Sequence, residues 1–222
     1  YDIADRDWSS DVCSSDLSDY TLESWTLTQH HAKKIVSTFK DQKAIIAWDL
    51  KNEPNLDFEN RGKNNVLNWL QHMITVVKEN DPNHLVTIGW SNSIEASHLA
   101  KQVDFVSYHF YNNIDDLEKE TKTLEKITKK PIVIEEFGLP SYKGIWNLMN
   151  GSNEEDQALY HKKMQVLFKK NNLAFMSWTL YDFPQVPDQV AGKWPWQKKR
   201  QKRFGFVDIN GNKKPSFLYI NN

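Results

Sequence analysis

Apolar residues in this chain gather in short, nearly unbroken runs separated by longer stretches of helical period. The runs are Ala44–Leu50 (AIIAWDL), Leu85–Trp90 (LVTIGW), Val103–His109 (VDFVSYH), the segment Ile132–Gly138 opened by Pro131, and Leu173–Leu180 (LAFMSWTL). Runs with so little polar interruption predict strands covered on both faces. Between them the period changes. Thr28 is placed to cap a helix whose Ala32, Ile35, Val36 and Phe39 fall at i, i+3, i+4 and i+7. Asn64–Asn80 turns Val66, Leu67, Leu70, Met73, Ile74 and Val77 inward, and Asp81-Pro82 stops it. A short helix is expected around Ser93–Lys101. A charged one follows over Asp115–Lys129 with Leu117, Leu124 and Ile127 as its stripe, then another over Glu154–Asn171. Asn210-Gly211-Asn212 predicts a turn.

Strands alternating with helices argue for parallel βα units. Strand starts near 44, 85, 103, 131 and 173 give a mean spacing of (173 − 44)/4, about 32 residues. Eight units in roughly 250 residues have the same rhythm. The expected fold class is therefore α/β, a (β/α)8 TIM barrel, of which about five C-terminal βα units are present. Three more units would need about 100 residues upstream, and only 43 residues precede Ala44.

The first 17 residues are expected to be foreign. Asp7–Leu17, DWSSDVCSSDL, resembles the in-frame translation of a common sequencing-library adapter over eleven consecutive positions. On this reading residues 1–17 are a non-native segment, and 18–222 are a partial catalytic barrel without linker or internal repeat. The single cysteine, Cys13, falls in the foreign segment, so cysteine usage leaves the redox compartment open. Localisation stays unassigned; secretion and a periplasmic location are both compatible.

A net charge of −1 over 222 residues gives no global pull toward nucleic acid or anionic membrane, and neither is expected as a partner. No apolar run reaches the roughly 18 residues of a membrane span. Aromatics make up 13% of the chain, with nine Trp. Flat rings serve as stacking platforms in carbohydrate clefts, and equally as core filling. His30-His31 has no partner carboxylate or cysteine at ligand spacing, so no metal and no cofactor is expected.

Candidate chemistry sits at the strand ends. Asn52-Glu53-Pro54 closes the first run, where a β/α barrel keeps its reactive groups, and Pro54 biases Glu53 toward an extended backbone. Glu135-Glu136-Phe137-Gly138 closes the fourth. In a closed barrel those two ends face each other, so Glu53 and Glu136 can converge on one bond, as glycoside hydrolysis requires. Each glutamate taken alone reads first as a strand-end residue paired with a nearby cation. Their surroundings point to chemistry. Asn52 stands beside the first acid, and His109 and Tyr111 project from the third run with period-two spacing. A phenol and an imidazole there can hold the two carboxyl groups in different protonation states. Trp178 can floor a sugar site, and Trp194 and Trp196 lie in the loop beyond, placed either as a subsite or as loop packing. The basic run Lys198–Arg203 reads first as a solvated loop.

Asn52-Glu53-Pro54, His109-x-Tyr111, Glu136-Phe137-Gly138 and Ser177-Trp178, in that order, resemble family 5 glycoside hydrolases and their clan A relatives. The closing Gly205-Phe206-Val207-Asp208 with Gly211 and Lys214-Pro215 is similar to the end of those barrels. The resemblance covers about Ser18–Ile220. It implies a (β/α)8 barrel and a retaining double displacement on a β-linked oligo- or polysaccharide of mannan or glucan type, by a chain monomeric when complete. It makes Glu53 the acid/base and Glu136 the nucleophile, with Glu135 as rival. Asn52, His109, Tyr111 and Trp178 become substrate-binding, with Trp194 and Trp196 as further candidates. The sugar-binding groups that the family mounts on its first three strands have no counterpart here. A non-catalytic carbohydrate-binding relic and an inactive fragment therefore stand as alternatives.

Overall fold

The computed structural model describes Tyr20 and residues 22–144, 151–191 and 194–220. The segment read as adapter-derived lies outside the described residues. Contacts divide the chain into two units. One runs up to Tyr108 and includes Leu124–Pro131; the other comprises His109–Thr123 and everything from Ile132 onward. All observed strand pairs are parallel and strand order follows chain order, so the fold is α/β, made of βα units of the TIM-barrel type.

In the first unit, β1 (Ala47–Asn52) pairs with β2 (Leu85–Trp90), which pairs in turn, through Ser107 and Tyr108, with β3 (Val106–Phe110), whose last two residues fall in the second unit. β3 is buried throughout and β2 from Val86 onward, as their apolar runs predicted. β1 is not: it begins three residues later than expected, none of its residues is buried, and Ile46 before it is 80% exposed. β1 pairs with β2 alone among the described strands, which leaves its other edge uncovered.

The helices of this unit are α1 (Leu22–Phe39), a short turn α2 (Phe58–Arg61), and α3 (Lys63–Asn80). α3 buries Val66, Trp69, Leu70, Met73, Ile74, Val76 and Val77, close to the predicted stripe. α1 starts six residues before Thr28, which is an interior residue and not a cap. The Thr28 hydroxyl donates back to the Ser24 carbonyl (2.9 Å) and accepts from the Trp69 indole (3.2 Å). A hydroxyl that finds its acceptor in the preceding turn no longer competes with the helix. Asp81 stops α3 as expected and becomes a buried node. It accepts from Trp48 Nε1 (2.7 Å), His84 Nδ1 (2.6 Å) and the Asn83 N–H (3.0 Å). Burial alone would raise its carboxyl pKa, but these donors outweigh that and hold it below the usual carboxylate range.

The predicted helix at 93–101 shrinks to a single 3-10 turn, Glu95–Ser97, because the Asn92 side chain accepts from the N–H groups of Ile94 and Glu95 and shapes a turn instead. α4 (Leu117–Ile127) buries Leu117 and Leu124 and leaves Ile127 half exposed.

The second unit is built on β4 (Ile132–Phe137), α5 (Glu154–Lys170) and β5 (Ala174–Phe175), with β4 and β5 paired. α5 opens on a capping box: Asn153 accepts from the Asp156 N–H (2.8 Å), and Asp156 accepts from the Asn153 N–H (2.9 Å). The eight-residue strand expected at 173–180 is two residues long. Beyond it the chain stays attached to β4 through Met176 N–H to the Ile134 carbonyl (2.9 Å) and Trp178 N–H to the Phe137 carbonyl (2.8 Å). Two short helices follow, α6 (Asp188–Ala191) and α7 (Pro195–Gln201). The core gathers around Phe137, whose ring lies 4.8 Å from Phe168, 5.7 Å from Phe175 and 5.2 Å from His161. The closing segment folds back onto this core. Gln157 donates to the carbonyls of Leu139 (2.8 Å) and Phe204 (3.0 Å), and buried Lys214 meets buried Asp182 at 2.7 Å. The predicted turn at 210–212 is present, with Gly211 at φ 86° and Asn212 bound to Asp208.

Candidate active site

Alternation along β4 sorts its two glutamates. Glu136 shares a face with Ile134, and Glu135 shares a face with Phe137, which packs into the helical layer on Phe168. His109, from the end of β3, and Tyr111, two residues on, both reach Glu136. The Tyr111 hydroxyl donates to Glu136 Oε1, and His109 Nδ1 lies 3.6 Å from Oε2. His109 is buried (3% exposed), while the Glu136 side chain keeps 20% of its surface open. One carboxylate thus has a phenol on one oxygen and an imidazole beside the other, with a face open to an incoming group.

The rim around it is close-packed. A Cβ on Gly138 would stand 2.3 Å from the Trp178 carbonyl oxygen and 3.0 Å from the Phe204 ring, so only glycine lets the chain leave β4 here. The Phe204 ring in turn meets Tyr111 edge-on at 6.2 Å. The sequence holds no signal for Phe204, which arrives 66 residues after Gly138, between the basic run read as a solvated loop and the Gly205-Phe206-Val207-Asp208 motif. Trp178 stands 5.6 Å from Phe183, and the Trp178–Thr179 peptide is cis. Its indole N–H is buried and has no acceptor among the described residues. Trp194 and Trp196 stack on each other at 4.8 Å and 16°.

Glu53 and Asn52 belong to the first unit and are held differently. β1 carries a register irregularity between Asp49 and Asn52, where Asp49 Oδ1 accepts from the Gly89 N–H (2.8 Å) and the Glu53 N–H donates to the Gly89 carbonyl (2.6 Å). Glu53 is left-handed, at φ 47° and ψ 49°, and not extended as its place before proline predicted. Right-handed helical backbone is closed to a residue before proline, yet the chain must turn at once into Pro54–Asp57, so it takes the left-handed alternative. Asn55 locks the turn: its Nδ2 donates to Ser91 Oγ (2.7 Å) and its Oδ1 accepts from the Ser91 N–H (3.1 Å). Asn52 is exposed at the strand end.

The family model described as cellulase, glycosyl hydrolase family 5, matches residues 7–184, well over half of the chain. The chain belongs to glycosyl hydrolase family 5. Relatives of this family 5 chain include mannan endo-1,4-beta-mannosidases 5 and 2 of Solanum lycopersicum. Each is 30% identical over 157 residues, covering 51% of this chain and 37% of theirs. The chain thus spans about two fifths of the length of the curated relatives it matches. Among solved structures it is similar to the β-glucuronidase of Bifidobacterium dentium complexed with coumarin-3-O-glucuronide. The TM-score is 0.72 at 19% identity, covering 90% of this chain and 34% of that one. At that identity the likeness speaks for the fold alone.

Proposed function

We propose that this family 5 chain is part of a retaining hydrolase acting on a β-linked glycan, mannan in the first instance. Glu136 is its nucleophile and Glu53 its acid/base. One observation carries the reading: in a family 5 chain, the glutamate that ends β4 is gripped by Tyr111 and flanked by His109, with part of its surface open. The mannan preference is drawn from the tomato relatives, whose names state endo-1,4-beta-mannosidase action.

In the first step the Glu53 carboxylic acid protonates the glycosidic oxygen while a Glu136 oxygen attacks the anomeric carbon, and the aglycone leaves. In the second, Glu53 takes a proton from water, the water oxygen displaces Glu136, and the sugar is released with its starting anomeric configuration. Tyr111 keeps one Glu136 oxygen occupied, so the attacking oxygen is the one on the His109 side. The partly exposed Trp178 ring offers a floor for the sugar, and exposed Asn52 offers its amide to a sugar hydroxyl.

The experiment is done on a version completed with its upstream units. Glu136→Gln should lower kcat by about 10⁴-fold or more. A 2-fluoro-mannosyl probe should leave its label on the peptide containing Glu136, and proton NMR should show the retained anomer first. Label on Glu135, or an inverted first product, would overturn the assignment.

A further inference from the structure

The basic run after Trp196 is not uniformly employed. Lys198 pairs with Asp188, Lys202 Nζ donates to the Pro184 carbonyl (2.6 Å), and Arg203 lies 3.6 Å from Asp182. Lys199 and Arg200 remain exposed and have no acidic partner among the described residues. One turn before them stand the stacked indoles of Trp194 and Trp196, with Trp194 59% exposed. A flat aromatic platform and uncompensated cations are thus mounted on one short helix.

That helix is tied to the rim of the Glu136 site. The Lys202 carbonyl accepts from the Phe183 N–H (3.1 Å), and the Arg203 carbonyl accepts from the Ser141 N–H (2.9 Å). Phe204 comes next, packed on Tyr111 and against Gly138. The platform and the rim of the Glu136 site are thus joined through one segment of eight residues, from Trp196 to Phe204.

We propose that Trp194 and Trp196 with Lys199 and Arg200 form an accessory subsite for a sugar that carries a carboxylate, a uronate borne by the β-linked glycan. The indole face receives the C–H face of the pyranose, and the ammonium and guanidinium receive its carboxylate. A neutral sugar would use the rings and leave the cations idle. A nucleic acid would call for a broad basic face, whereas this chain has a net charge of −1. The inference rests on reading the site as a glycan hydrolase and adds the charge of its substrate.

Binding is measured with the full chain carrying Glu136→Gln, so turnover plays no part, by affinity electrophoresis against three probes. These are a β-mannan partly oxidised at C6 so that it carries mannuronate, the same mannan after carboxyl reduction, and double-stranded DNA. The unreduced mannan should bind about fivefold to tenfold tighter at low ionic strength, the gain expected from two partly screened charge contacts, and the gap should close in salt. Lys199→Gln with Arg200→Gln should erase the gap without changing binding of the reduced mannan. Lys199→Arg should keep it, and Trp196→Ala should weaken both mannans. Equal retention of the two mannans would overturn the uronate subsite while leaving the hydrolase reading intact. DNA retained as strongly as the acidic mannan, and released by the same double substitution, would overturn it in favour of a general polyanion contact. Failure to turn over any glycan in the completed enzyme would instead count against the hydrolase reading.

Discussion

The two carboxyl-bearing strand ends are held by different means. At the end of β1 the described contacts fix backbone: Glu53 is bent into a left-handed turn, its N–H is spent on Gly89, and Asn55 clamps the loop to Ser91. At the end of β4 they fix the side chain itself, through Tyr111 and His109, with Phe204 and Gly138 packed behind. A backbone-held position sets where the Cα stands and tolerates changes among neighbouring side chains. A side-chain-held position depends on each neighbour, and through them on the segment that folds back over it. Residues that never touch Glu136 should therefore matter to it, and the left-handed backbone at Glu53 carries a conformational cost of its own.

The largest test is directed at the brace behind the β4 end. Lys214 and Asp182 are both fully buried, and Asp182 also accepts from the Gly205 N–H (2.8 Å), next to Phe204. Lys214→Met removes the buried cation from Asp182, leaving only Arg203 at 3.6 Å from its other oxygen, and should cost about 3–5 kcal/mol in urea unfolding. A loss below about 1 kcal/mol would break the contrast, because the closing segment would then be held by something else.

Next comes acid sensitivity. His161 is fully buried beside Phe137 and Phe206, its ring nitrogens have no hydrogen-bond partner among the described residues, and burial pushes its pKa down to about 4. The folded state keeps it neutral, while the unfolded chain takes up a proton below about pH 6.5. Its contribution is thus complete above about pH 6.5 and is lost as pH falls toward 4, for a total of about 3 kcal/mol. His161→Leu should flatten that part of the stability–pH curve. An unchanged slope would mean that the β4 side has no such dependence.

Tyr111→Phe removes one hydroxyl from Glu136. In a completed enzyme it should lower kcat/KM about 10- to 100-fold, equivalent to about 1.4–2.7 kcal/mol, with folding stability changed by less than about 1 kcal/mol. The smallest effect is at the other end. Glu53→Gly should raise the midpoint of thermal unfolding by the equivalent of about 0.5–1 kcal/mol, because it relieves a left-handed non-glycine residue at the cost of extra freedom in the unfolded chain. Glu53→Ala should bring no such gain. If both variants melt alike, the backbone at Glu53 is not under the load described above.

Legibility differed in the same way between the two units. β2 occupies Leu85–Trp90 as predicted and α3 begins one residue before its expected start, because a buried parallel strand and an amphipathic helix write their environments directly into hydrophobic period. β1 and β5 were misjudged in extent because apolar runs and backbone pairing do not share their ends: the first run starts before β1 and stops short of Asn52, and the last continues past β5. Thr28 was misread because a hydroxyl that caps a helix and one that bonds back into it have the same local sequence.

What the sequence determined by itself was the alternation of strands and helices, the family, and the placing of glutamates at two strand ends; these follow from periodicity and short motifs, which are local. Only the tertiary structure decided that Glu53 turns left-handed, that Tyr111 and His109 both reach Glu136, and that Phe204 closes the site. Those outcomes depend on groups tens of residues apart competing for the same few ångströms, and no local pattern encodes the winner of that competition.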